Sequence, residues 1–258
     1  MGILNVTPDS FSDSGLFMSK EKALVRAHQL AEEGAACLDI GGESTRPGAR
    51  PVAEQEELDR VIPVIEMLSR ELPLPLSIDT SKPVVMREAV AAGAGLINDV
   101  LALRAPAAVQ TAAALRVPVC LMHMQGEPRT MQQAPEYHDV VQEVEAFLAE
   151  RVAVCRSAGI PRSQLLIDPG FGFGKTLQHN LQLLRGLAEL QRLSLPMLVG
   201  ISRKSMIGTL LNGAPVDQRL YGGLAAAVLA VLQGAKLVRT HDVKPTVDAL
   251  KVITAVTT

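Results

Sequence analysis

Asp39, Asp79, Asn98 with Asp99, His123 and Asp168 each close a short apolar run, as do Asn5, Ser202-Arg203-Lys204, and Arg239 with His241. The residues that open these runs are bland: Gly34-Ala35, Leu74, Gly95, Val117, Leu195 and Ala235. One Asp at such a place is ordinarily a turn residue, but polar termini gathered at one end of every run describe a site. Asp79, Asn98 and Asp168 are acceptors in an apolar mouth, and buried carboxylates are costly unless donors meet them. They ask for a cation or a planar, donor-rich heterocycle. A 2-amino-4-oxo ring edge offers adjacent N–H groups to a carboxylate much as arginine does. The other reading is that Lys204 or Arg239 simply pairs with these acids.

A second group favours anions. Ser202-Arg203-Lys204-Ser205 ends one run and opens a helix, where free N–H groups and the helix dipole attract negative charge. Arg239 and His241 end the last run, which lies beside the first, with Asn5, once the sheet closes. The glycine-rich stretch Asp168–Lys175 lacks the G-x-x-x-x-G-K-[ST] spacing, so a nucleotide cradle of that type is not indicated. The five histidines show no zinc spacing, and His28, His138 and His179 read as solvated. Mg²⁺ held by one oxygen ligand and substrate phosphates would leave no dense motif and stays open.

The elements that must position these residues follow from the same runs. Met1–Leu4, Cys37–Ile40, Leu76–Ile78, Leu96–Ile97, Val117–Met122, Leu165–Ile167, Met197–Ile201 and Leu237–Val238 are short, apolar on both faces and flanked by Gly or Pro. Buried parallel strands have this character. Helical spacing fills the intervals. Leu58, Ile62, Ile65 and Leu68 form one face, with Glu54, Glu56, Glu57 and Arg60 on the other. Tyr137–Ala158, His179–Leu190, Gly222–Gln233 and Pro245–Val256 read the same way. Eight strand–helix units predict an α/β fold, a (β/α)₈ barrel, whose active site forms where the C-terminal strand ends converge. An open doubly wound sheet is the runner-up, disfavoured by the strand count and the absence of a GxGxxG turn. The long loops Thr7–Ser19, Gly41–Val52, His123–Gln133 and Pro169–Gln178 each follow a strand, and Asn212–Tyr221 follows a short helix.

Length and composition exclude several classes. A chain of 258 residues, 48 % hydrophobic and 20 % charged, is not disordered and fits one barrel domain over residues 1–258. Net charge is −2 with both signs interspersed, and there is no Trp, so no nucleic-acid partner is expected. The longest apolar stretch, Leu224–Leu232, falls well short of the roughly 18 residues a span needs, so no membrane partner is expected either. Met1–Val6 has neither a basic region nor a small-residue cleavage site. Three cysteines without CxxC spacing predict a reduced, cytoplasmic protein, with Cys37 and Cys120 buried in their apolar runs.

The blocks MGILNVTPDSFSDSG (1–15), GESTRPG (42–48), SIDT (77–80), DPGFGFGK (168–175), SRKS (202–205) and RTHDV (239–243) run in order along the chain. In this the sequence is similar to the dihydropteroate synthases. The resemblance implies a single-domain (β/α)₈ barrel that joins 6-hydroxymethyl-7,8-dihydropterin diphosphate to p-aminobenzoate, giving 7,8-dihydropteroate and diphosphate. It implies Mg²⁺ as cofactor, with Asn5 as metal ligand, and a homodimer formed through the last helices. Asp79, Asn98, Asp168 and Lys204 then correspond to the pterin-binding set. Asn5, Thr45, Arg46, Arg239 and His241 correspond to the diphosphate site, and Thr45, Pro47, Phe173, Lys204 and Ser205 to the p-aminobenzoate site. Asn5, Asp79, Asp168, Lys204, Arg239 and His241 would carry the chemistry. Family members usually carry a hairpin before the first strand, and here the sequence begins at that strand. A methyltetrahydrofolate-binding methyltransferase barrel is the alternative; it shares the pterin-directed Asp and Asn but has no need of the Ser-Thr-Arg loop or the Arg239/His241 corner. A pterin-binding protein without activity is a further rival.

Overall fold

The computed structural model describes residues 1–6, 16–44, 50–127 and 130–257, with residues 16–19 described by backbone alone. Strands and helices alternate: β1 (Gly2–Asn5), α1 (Leu16–Glu32), β2 (Leu38–Gly41), α2 (Glu54–Glu71), β3 (Leu76–Asp79), α3 (Pro83–Ala91), β4 (Leu96–Asp99) and α4 (Ala108–Leu115). The second half continues with β5 (Val119–Met122), α5 (Val140–Ser157), β6 (Leu165–Asp168), α6 (Leu177–Arg185), β7 (Leu198–Val199), α7 (Ser205–Leu210), α8 (Leu220–Leu232), β8 (Leu237–Val238) and α9 (Val243–Thr257).

Strands β1 to β6 pair in sequence order, all parallel. Side chains alternate between faces with a period of two, so register sorts them. Ile40, Ile78, Ile97, Val119 and Leu165 lie in one register row and pack with the helices in the main core. The next row, Asn5, Gly41, Asp79, Asn98 and Cys120, faces the opposite way, into the barrel. The sheet then closes. β7 pairs with β8, Ile167 bridges to Met197, and Gly2 bridges to Thr240, all parallel. Ile3 N donates to Thr240 O (3.0 Å), Thr240 N to Met1 O (3.0 Å), and Ile167 N to Pro196 O (3.0 Å). Closure is the (β/α)₈ barrel expected, not an open doubly wound sheet.

Several boundaries differ from the sequence reading for local reasons. Strands β1, β3, β4 and β6 run on through their terminal polar residues, because the ladder continues there. Pro118 has no N–H, so β5 begins at Val119, not Val117. Helix α5 begins at Val140 because the Asp139 carboxylate accepts from Val141 N and Gln142 N as an N-cap. Helix α6 stops at Arg185, and the chain goes on as a 3₁₀ turn over Leu187–Leu193. A side chain at Gly186 would come 2.8 Å from Val141 Cγ2, so this close approach needs glycine. Helix α1 starts at Leu16, inside the expected first loop.

Two expectations are corrected outright. Glu57 is not on the solvent face of α2: it is fully buried and ion-paired with Lys82. Cys37 is only half-buried, since it lies just before β2 rather than within it; Cys120 and Cys155 are buried. No described helix is long and apolar enough to cross a membrane.

Candidate active site

The inward face carries Asp39, Asp79, Asn98 and Asp168, all buried. Arg239, just past β8, reaches across the seam between last and first strands. Its Nε donates to Asp39 Oδ2 (2.6 Å) and its Nη2 to Asp79 Oδ2 (2.7 Å), while Asn98 Nδ2 donates to the same Asp39 oxygen (3.1 Å). The pairing that the sequence left open is therefore made by Arg239. A guanidinium carries five N–H donors, so these two bonds leave others for an anion at the mouth. Lys204 forms no ion pair among the described residues; its Nζ lies 4.0 Å from the centre of the Phe173 ring. Phe173 sits among Val100, Met122, Met124 and Met131, an adaptable apolar wall.

Burial sets the electrostatics. It raises Asp79 to about 7 against the pull of Arg239, and Asp168 to about 6 against Gly170 N–H and Lys204. It lowers Lys204 to about 8, with Asp168 opposing. Burial also works to lower Arg239, but Asp39 and Asp79 outweigh it and hold the guanidinium above its ordinary value. Two carboxylates thus titrate close to neutral pH, and a donor-rich edge would favour their charged forms.

Ser202 Oγ lies 3.1 Å from His241 Nδ1 and accepts from His241 N at 3.2 Å. Arg203 braces the same corner through Asp242 (Nε to Oδ2, 3.0 Å). Asn5 ends β1 on the other side of the seam. Its side chain makes no hydrogen bond among the described residues, and an added Cβ at neighbouring Gly41 would lie 3.7 Å from both Asn5 Oδ1 and Asp79 Oδ2. Glycine leaves that space open. Ser205 is the exposed first residue of α7. Thr45, Arg46 and Pro47 lie outside the described residues. The ends of their segment are held: Glu43 accepts from Val52 N (3.1 Å) and Lys82 Nζ (2.5 Å), and Arg60 donates to Gly42 O (2.7 Å).

Three roles were not assigned from sequence. Asp39 ends an apolar run in the sequence, and its bond to Arg239 joins it to the site; its place two residues before Gly41 puts it on the same inward face. Asp99 belongs outside the site, accepting from Ser81 Oγ, Leu101 N and Leu103 N as a turn cap. Lys175 is buried, with its Nζ 2.9 Å from His123 Nδ1, and no sequence pattern reports that contact.

The profile of the pterin binding enzyme family matches residues 1–241. The chain is 57 % identical over 252 residues to a dihydropteroate synthase of Haemophilus influenzae, with 98 % of this chain and 91 % of that one covered. It resembles in shape a Xanthomonas albilineans dihydropteroate synthase solved with 4-aminobenzoic acid, at TM-score 0.94 and 57 % identity over 99 % of this chain and 92 % of that one. A structure of the Xanthomonas albilineans enzyme in complex with 7,8-dihydropteroate matches at TM-score 0.90 and 54 % identity, over 99 % and 92 %. With the family profile over residues 1–241 and more than half of its residues identical to such relatives along nearly its whole length, the chain belongs to the pterin-binding enzyme family, in its dihydropteroate synthase branch.

Proposed function

We propose that this chain condenses 6-hydroxymethyl-7,8-dihydropterin diphosphate with p-aminobenzoate, releasing 7,8-dihydropteroate and diphosphate. The observation that carries the reading is the buried acceptor set Asp79, Asn98 and Asp168, with Arg239 bound to Asp79 across the barrel seam and Asn5 beside Asp79 at Gly41. The acids accept from the N–H edge of the pterin ring, and Lys204 donates to its acceptor side. Arg239 keeps Asp79 in place and turns its remaining N–H groups to the diphosphate, with His241 and Asn5. Thr45 and Arg46 complete that set, and Phe173, Pro47 and Ser205 with Thr45 bound the p-aminobenzoate site.

The C–O bond at the pterin methylene breaks with its electron pair leaving on diphosphate, and the cation left behind is conjugated with the ring. Arg239 and His241 hold the departing charge. The amine lone pair of p-aminobenzoate then forms the C–N bond, and the nitrogen loses a proton. An arylamine is already a neutral nucleophile, so no strong base is needed. His241 serves as a phosphate ligand, and Lys204 forms no covalent intermediate.

No group of three or more His, Cys, Asp or Glu capable of holding a metal occurs among the described residues. The amide oxygen of Asn5, beside the open space at Gly41, fits an ion that completes its shell from water and phosphate. Held there by Asn5, Mg²⁺ would supply positive charge against the leaving diphosphate. Tyr221, Leu229 and Leu232 on α8 and Val252 and Val256 on α9 are exposed apolar residues on successive helices, which supports a homodimer through this face. The unpaired thiols of Cys37, Cys120 and Cys155 support a reducing, cytoplasmic setting. Titration with diphosphate in Mg²⁺ buffer separates this reading from the methyltransferase alternative: calorimetric binding is expected, and its absence, with methyl transfer from methyltetrahydrofolate, would establish the rival.

A further inference from the structure

The loop after β6 is held by side chains along its whole length. Asp168 Oδ1 accepts from Gly170 N (2.7 Å), Asn180 Oδ1 from Gly172 N (2.7 Å), and Gly172 O and Gly174 O accept from Gln132 Nε2 (2.6 Å) and Tyr137 Oη (2.8 Å). At its centre the buried Lys175 Nζ donates to Gly170 O (2.9 Å), Phe173 O (3.1 Å) and His123 Nδ1 (2.9 Å). Burial pulls Lys175 down to about 7, with Asp168 opposing, and in its protonated form it has three N–H donors, all of them used. Burial and the neighbouring Lys175 charge push His123 down to about 2, so its ring is neutral and Nδ1 is free to accept. The ring is fixed edge-on against Phe147, 4.9 Å between centroids.

We propose that Lys175, with His123 as its neutral acceptor, is a positioning residue for the p-aminobenzoate half of the reaction. It fixes the 170–173 turn, whose Phe173 N donates to Gly170 O at 3.1 Å, and so holds the Phe173 ring against Lys204. The inference rests on the function proposed above. Its effect is selective because Asp168 has a separate anchor: it pairs in register with Met122, and its carbonyl accepts from His123 N at 2.9 Å. Without the Lys175 bonds, Phe173 loosens while Asp168 stays on its strand.

Steady-state kinetics on wild type, Lys175→Met, His123→Leu and His123→Gln test this. Lys175→Met leaves Phe173 O and His123 Nδ1 without that donor and Gly170 O with Phe173 N alone, and is expected to raise KM for p-aminobenzoate about tenfold or more, with KM for the pterin diphosphate within about threefold of wild type. His123→Leu is expected to shift in the same direction, and His123→Gln, whose amide oxygen still accepts from Lys175, to lie within about threefold of wild type. An unchanged p-aminobenzoate KM in Lys175→Met, or an equal rise in both KM values, would overturn the proposal. Should Lys175→Met fail to fold, the His123 pair decides, and a Gln variant no better than Leu overturns it. A wild-type protein with no turnover would refute the functional reading instead. Hydrogen exchange at Phe173 N then reads Lys175 directly: faster exchange in a folded Lys175→Met or His123→Leu supports the positioning role, and unchanged exchange refutes it.

Discussion

Asp168 answers two opposed demands. It must be charged to meet a donor-rich ring, yet burial raises its pKa to about 6. Asp168→Asn keeps an acceptor for Gly170 N but loses the charge, and pterin-analogue affinity is expected to fall by about 1.5–3 kcal/mol. Stability should move the other way. A raised folded-state pKa contributes stability that is present below the unfolded value of 3.8 and is lost as pH rises through about 6. Without ligand at about pH 8, the Asn variant should therefore melt no lower than wild type. Calorimetry measures both, and unchanged affinity would remove Asp168 from the pterin site. Asp79, raised to about 7, adds a linked expectation. Pterin binding should release protons and strengthen from about pH 5.5 to about pH 7.5, because ring donors select the ionised carboxylates. Titration in two buffers of different ionisation enthalpy counts those protons, and none released would contradict the assignment. Asp79, Asn98 and Asp168 were legible because acceptor side chains ending apolar runs have few cheap explanations. The Asp39–Arg239 bond was not, because its partners are 200 residues apart and meet only across the seam.

Element by element, the sequence reads well wherever one periodicity decides and poorly where a second element intervenes. The strands were found as apolar runs, and their ends moved only where the ladder or a proline imposed its own limit. Glu57 shows the other case. On α2 alone its charge belongs with Glu54 and Glu56 on the wet face, but Lys82, at the start of α3, reaches over and pairs with it and with Glu43. Lys82→Met would leave Glu57 buried and unpaired and is expected to cost about 3–5 kcal/mol in urea denaturation. Adding Glu57→Gln should recover part of that loss, since a neutral amide is cheaper to bury than an unpaired charge. A single-variant loss below about 1 kcal/mol would mean the pair behaves as a surface contact.

For the whole molecule, closure is what makes the site. The bridge between Gly2 and Thr240 lays the chain leaving the last strand against the first, and from that seam Arg239 reaches Asp39 and Asp79. Eight strand–helix units made that closure legible, while Thr45, Arg46 and Pro47 remain positions known by sequence alone. On the proposal that the Asn5 amide oxygen is the one protein ligand, Mg²⁺ should bind poorly by itself and much better with diphosphate present. Tight Mg²⁺ binding to the free protein, measured by titration, would indicate a denser metal site. The most direct test of the account is diphosphate release by the purified protein in Mg²⁺ buffer, followed with each substrate alone and with both. The expected result is diphosphate formed one-for-one with 7,8-dihydropteroate only when pterin diphosphate and p-aminobenzoate are both present; no product from the complete mixture would contradict it.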